Sequence, residues 1–168
     1  MWCCSHYDGN SWFGDVHFDI DAWHRGLAYI ARWAAGHRAV TSMSLHNELR
    51  ESWNETKLVY NWETLVGNLT AATDVIYDAN PDLLVTWSGM QFDEDLSALT
   101  TEGKNLLTAP CYKCTAIRDA LRRDPLVFDL GEHAWADKVV WELHLYSMSE
   151  VSGEKKKSLT PFFFPLRD

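Results

Sequence analysis

Apolar positions along the chain recur with two different periods. Across residues 19–35, Trp23, Leu27, Ile30 and Ala34 fall at helical spacing, and Gly36 suits the end of that helix. Across 61–79, Trp62, Leu65, Val66, Leu69 and Ile76 form one stripe, with Asn61 as the cap and Asn80-Pro81 as the stop. Shorter runs stand between and after these helices. Residues 39–45 alternate weakly and read as a strand, and 139–145 read as another. Residues 83–87 form a continuously apolar strand, which predicts burial on both faces. Helix and strand therefore alternate, the pattern of a parallel sheet covered by helices. Residues 8–15, rich in Gly, Asn and Asp, read as a loop. A short helical piece is expected over 95–99. Residues 110–137 are ambiguous, with 116–123 the best helix candidate. No repeat of fixed short period is visible.

Composition narrows the picture. A chain of 168 residues with 46% apolar residues can build one sizeable core. Nine tryptophans exceed what packing needs, so some are candidates for flat stacking surfaces and the rest for core anchors; Trp12, Trp53 and Trp87 are the stacking candidates. A net charge of −9 argues against nucleic acid, which requires a basic face. No run approaches a membrane span. Met1-Trp2-Cys3-Cys4-Ser5-His6-Tyr7 has neither the basic start nor the apolar stretch of a signal peptide, which read literally leaves the chain in the cytosol. The tripeptides Asn54-Glu55-Thr56 and Asn68-Leu69-Thr70, both glycosylation acceptor patterns, point the other way, to secretion. The cysteines stand as Cys3-Cys4 and Cys111-x-x-Cys114, a poor spacing for a tetrahedral zinc site and compatible with disulfides of unassigned pairing. No metal and no cofactor are expected.

Two of the strand candidates end in polar clusters. Ser44-Leu45-His46-Asn47-Glu48-Leu49-Arg50 sets an amide beside a carboxylate directly after a strand, although a bare carboxylate is costly to bury. His144 and Tyr146, two apart, share a face of the later strand. Binding groups of parallel α/β sheets gather at the carboxyl edge, where these four side chains would form a polar pocket. Each cluster also has a plain structural alternative: an Asn-Glu pair often opens a surface loop, and a lone histidine is often a hydrogen-bonded structural residue.

Three stretches taken together resemble glycoside hydrolase family 5, most closely its fungal cellulase-like members. They are Trp2-Cys3-Cys4-Ser5 with Asp8-Gly9-Asn10-Ser11-Trp12-Phe13-Gly14-Asp15, then Ser44 to Arg50, then Glu142-Leu143-His144-Leu145-Tyr146-Ser147. The resemblance spans roughly residues 2 to 147. It implies an α/β fold, the (β/α)8 TIM barrel, and retaining hydrolysis of β-glycosidic bonds in a glucan-type polysaccharide or glycoside. By the family's motifs, Glu48 is implied as the general acid/base and Asn47 as the ligand of the sugar 2-hydroxyl. His144 is implied as a substrate contact and Tyr146 as the group that positions the nucleophile. Glu48 would protonate the leaving glycosidic oxygen and later take a proton from water, while a partner carboxylate about 5 Å away attacks the anomeric carbon.

The sequence departs from the family's pattern in two respects. His46 stands where the family usually has Arg. The three strand candidates correspond to the fourth, fifth and sixth of the barrel, so residues 1–150 are expected to form an incomplete catalytic barrel. Glu150, Glu154 and Asp168, the carboxylates after Tyr146, fit no strand end, and none is assigned as the nucleophile. The chain alone is then expected to be inactive or nearly so. The tail over 151–168, with its lysines and its Phe162-Phe163-Phe164 run between prolines, is expected to be disordered or translated from non-coding sequence of a mis-predicted gene. A complete form would be extracellular. The reading from another class is a non-catalytic carbohydrate-binding or interaction protein; a zinc module on the cysteines ranks behind both.

Overall fold

The computed structural model describes residues 5–96, 98–99, 105–106 and 127–145. Helix α1 (Ile20–Ala34) opens on Asp19, whose carboxylate accepts the Ala22 N–H at 2.9 Å. Helix α2 (Trp62–Ala79) opens on Asn61, whose side-chain oxygen accepts the Thr64 N–H at 2.8 Å. Both caps satisfy donors that a helix leaves orphaned at its start. Three strands, β1 (Ser42–Ser44), β2 (Leu84–Trp87) and β5 (Val139–Trp141), form a parallel sheet in the order β1-β2-β5. Met43 pairs with Val85, and Val85 in turn with Val139. Helix α2 is the crossover from β1 to β2 that a parallel pair requires. A separate antiparallel pair joins β3 (Asn105–Leu106) to β4 (Val127–Phe128). Two 3-10 turns, Leu130–Glu132 and Ala136–Lys138, lead into β5.

The core lies between the helices and one face of the sheet. Helix α2 buries Trp62, Leu65, Val66, Leu69 and Ile76, the whole expected stripe. Helix α1 differs from expectation: Leu27, Ala31 and Ala34 are buried while Ile30 is exposed. The two helices pack on each other, and Ala72 of α2 is also buried. Strand β2 buries Val85 and Trp87, and the Trp87 indole N–H donates to the Thr73 hydroxyl of α2 at 2.8 Å. Its other face is not covered as expected: Leu84 is 37% exposed, beside exposed Ser42, Ser44 and Val140 of the neighbouring strands. Helices α1 and α2 serve only the Val85/Trp87 side.

The opening loop is far from featureless. Trp12 and Phe13 are fully buried, and the Trp12 indole donates to the Val59 carbonyl. The buried Asp15 carboxylate accepts the N–H groups of Ser11 and Val16 and the Asn54 amide. Burial pushes its pKa up, but these hydrogen bonds and one from Ser52 outweigh that, and the net shift is downward. Of the short helix expected over 95–99, the described residues are a bridge at Asp95 and a turn at 98–99. Asp95 instead pairs with Met90 in an antiparallel bridge, so close to Gly89 that a β-carbon there would sit 1.9 Å from the Asp95 carbonyl oxygen. Only glycine permits that approach.

No helix among the described residues is long and apolar enough to cross a membrane. Both glycosylation-pattern asparagines are engaged: Asn54 with Asp15, and Asn68, inside α2, with the Thr64 carbonyl. The four cysteines, the helix candidate over 116–123 and the tail over 151–168 lie outside the described residues.

Candidate active site

Glu48 follows β1 and is buried, its side chain 8% exposed. Its backbone is left-handed, with φ of 53°, which a side chain other than glycine rarely adopts. Contacts on both sides hold it there. The Glu48 N–H donates to Asp93 Oδ2 at 2.7 Å, and the Glu48 carbonyl accepts Arg50 Nη1 at 3.0 Å. Arg50 is itself buried; it pairs with Asp8 and donates to the Ser5 carbonyl. The loop carrying Asp8 thereby fastens the turn that presents Glu48.

His144 comes from the far edge of the sheet. Strand β5 ends at Trp141, earlier than the sequence pattern implied, yet the chain stays bonded to β2 and its following turn. The Glu142 N–H donates to the Trp87 carbonyl at 2.9 Å and the His144 N–H to the Asp93 carbonyl at 3.0 Å. The imidazole lies among three carboxylates. Nδ1 is 3.3 Å from Glu48 Oε1 and 3.8 Å from Asp93 Oδ2, and Nε2 is 3.3 Å from Glu142 Oε1. Partial burial lowers the His144 pKa, but the hydrogen bonds to Glu142 and Glu48 and the Asp93 charge prevail, and the net shift is upward. Glu142 also accepts from the Ser44 hydroxyl at 3.3 Å, which ties β5 to β1 across the open sheet face.

Of the four residues expected from sequence, Glu48 and His144 are brought together. Asn47 is exposed beside them at the same strand end. Tyr146 lies outside the described residues. His46 offers no substitute for a permanently charged arginine: burial pushes its pKa down to about 4, and its Nδ1 bonds to the Asn47 carbonyl at 3.0 Å. It is neutral at neutral pH. Trp12 and Trp87 are fully buried and unavailable for stacking. Trp53 is 58% exposed, with one face stacked on His6 at 4.5 Å.

Sequence reading missed Asp93 and Glu142. Asp93 is fully buried, and burial pushes its carboxyl up to about 6, against the pull of the Glu48 N–H, the Ser88 hydroxyl and the His144 charge. It ends a run of three left-handed residues, Gln91, Phe92 and Asp93, with φ of 55°, 60° and 62°. Its one available signal was negative charge next to the apolar strand at 83–87. Glu142 was visible only as part of a motif.

No protein-family model matches the chain. A glycosyl hydrolase 5 family protein from Chamaecyparis obtusa is 42% identical over 98 residues, covering 58% of this chain. The chain spans 16% of that relative's length. The crystal structure of a beta-glucanase from Saccharophagus degradans superposes with a TM-score of 0.52 at 14% identity, covering 89% of this chain and 36% of the other. That likeness is one of fold. With the motifs around Glu48 and His144, these matches identify the chain as similar, over part of its length, to glycoside hydrolase family 5.

Proposed function

We propose that the chain is the central part of a retaining β-glycosidase barrel whose substrate is a β-linked glucan-type polysaccharide or glycoside. One observation carries this reading: a buried carboxyl, Glu48, at the carboxyl edge of a parallel sheet, 3.3 Å from an imidazole just past the end of a strand two places away. The open sheet face, with its Ser, Thr and Val side chains, suits the interior of a barrel closed by further strands. Glu48 serves as general acid and then general base. Its left-handed turn aims the carboxyl over the strand ends, and His144 supplies a neighbouring donor. Asn47, exposed at the rim, takes the sugar 2-hydroxyl, where hydrogen bonding strengthens as charge develops on the ring. Tyr146 orients a nucleophilic carboxylate that none of Glu150, Glu154 and Asp168 supplies. The matched relative extends well beyond this chain, which is consistent with a nucleophile contributed elsewhere; by the family resemblance, the complete form is extracellular.

Hydrolysis of a β-linked gluco-oligosaccharide by the protein carrying this segment, followed by NMR at the anomeric carbon, tests the reading. The first product is expected to be the β-anomer, and Glu48→Gln is expected to cut kcat by about a hundredfold or more while the oligosaccharide still binds. A first-formed α-anomer sinks retention, and an undiminished rate in the variant removes Glu48 from the chemistry. The exposed Trp53 supports one alternative, a carbohydrate-binding protein without catalysis. Binding that survives Glu48→Ala but is lost in Trp53→Ala, with no hydrolysis, would establish it.

A further inference from the structure

We propose that Asp93 is a positioning residue that holds Glu48 and His144 in register, the first through a carboxylate oxygen and the second through its backbone carbonyl and its charge. The inference rests on the reading of Glu48 as the acid/base, but its geometry is independent of any substrate. Asp93 lies on the turn after β2, the central strand, and contacts the ends of both neighbours. Its Oδ2 accepts the Glu48 N–H after β1 and sits 3.8 Å from His144 Nδ1 after β5, and its backbone carbonyl accepts the His144 N–H. One residue thus spans all three strand ends.

The turn that delivers it is costly. Three consecutive non-glycine residues in the left-handed region persist only where surroundings over-determine them, and such strain collects at functional sites. Here the hold is explicit. The Gln91 N–H donates to the Tyr60 hydroxyl at 2.9 Å, the Phe92 N–H to the Leu49 carbonyl at 3.0 Å, and Met90 bridges to Asp95. A turn that served only to reverse the chain could place glycine at these positions without strain. Asp93 Oδ1, moreover, is buried with no hydrogen-bond partner among the described residues, so packing alone gives no reason for a carboxylate there.

The groups facing Asp93 are the Glu48 N–H from the first strand end, Ser88 from its own, and His144 and Glu142 from the third. Ionised, Asp93 favours an imidazolium at His144, which then donates to the Glu48 carboxylate. Protonated, it releases that pull. The folded-state value near 6 stands above the ordinary 3.8, so the proton binds more tightly in the folded protein, and the resulting stability is lost as pH rises from 3.8 through about 6. Its titration should therefore register at both neighbours.

The test is NMR on the intact chain. In the unsubstituted protein, the Glu48 backbone amide should shift with a midpoint near 6, because its acceptor is Asp93 Oδ2, and the His144 ring should respond in the same step. In Asp93→Asn, which keeps an oxygen for the Glu48 N–H, the Glu48 step should vanish and the His144 midpoint should fall. A Glu48 amide silent around pH 6 in the unsubstituted protein overturns the proposal, and that measurement does not depend on the variant folding. So does a folded Asp93→Asn with an unchanged His144 midpoint. In a hydrolysis assay the same variant should lose about a hundredfold in kcat with little change in KM and an altered acid limb. If the NMR responses occur and no hydrolysis is found in any form, the proposed function fails and the positioning role stands.

Discussion

His46 shows how an environment can cancel what a residue type promises. At this position the resembled family usually has a guanidinium, charged at every accessible pH. The imidazole here is enclosed, with Phe18 at 5.2 Å between ring centroids, and burial together with nearby Arg50 holds its pKa near 4. Positive charge next to Glu48 comes instead from Arg50, two residues after it, whose role as a buried clamp on the Glu48 carbonyl was invisible in the sequence. Because the folded pKa of His46 is depressed below 6.5, the unfolded chain binds the extra proton. The stability it contributes is complete above 6.5 and is lost as pH falls toward 4. The His46 ring protons should therefore show no titration step between pH 5 and 8 by NMR. A midpoint near 6.5 would mean that the ring is solvated and the site more open than described.

Among the elements, helix α2 was legible almost to the residue because its buried stripe is made of large apolar side chains and its cap is a strong one. Asn61 fixes the start, and Asn61→Ala should cost about 1 kcal/mol in chemical denaturation, the usual toll for losing a side-chain cap. A loss below a few tenths would show that water replaces it. Helix α1 was legible in extent and in most of its buried face: Leu27 and Ala34 are buried and Trp23 packs against the core, while Ile30 is exposed. Ala31 is buried although it was not chosen, because alanine carries little hydrophobic weight in a periodicity reading. Ile30 outweighs it on paper yet lies on the exposed side. The turn after β2 was illegible for a different reason. Nothing local in Gln91, Phe92 and Asp93 announces left-handed backbone; the conformation is imposed by Tyr60, Leu49 and Asp95, which are distant in sequence or hidden by the glycine that lets them approach.

For the whole molecule, the parallel order β1-β2-β5 follows from helix–strand alternation, and the two strand ends chosen from sequence do meet, across the intervening end of β2. Asp93, from that middle end, could not be chosen by spacing, since it stands 45 residues from Glu48 and belongs to no motif. Burial of the sheet was the larger misreading. An apolar run such as Leu83 to Trp87 predicts cover on both sides, but the described residues supply helices on one side only. The two faces should then respond differently to one chemical change. Val85 is 1% exposed and faces the helices, whereas Val140, in the adjacent strand, is 42% exposed on the open face. Val85→Thr buries a hydroxyl and should cost about 1–3 kcal/mol, while Val140→Thr should stay within about 0.5 kcal/mol of the parent. Denaturant titration of the purified chain decides this. Equal large losses would mean that the Val140 face is covered in solution, as it would be inside a closed barrel, and equal small ones that the helices do not seal the Val85 side.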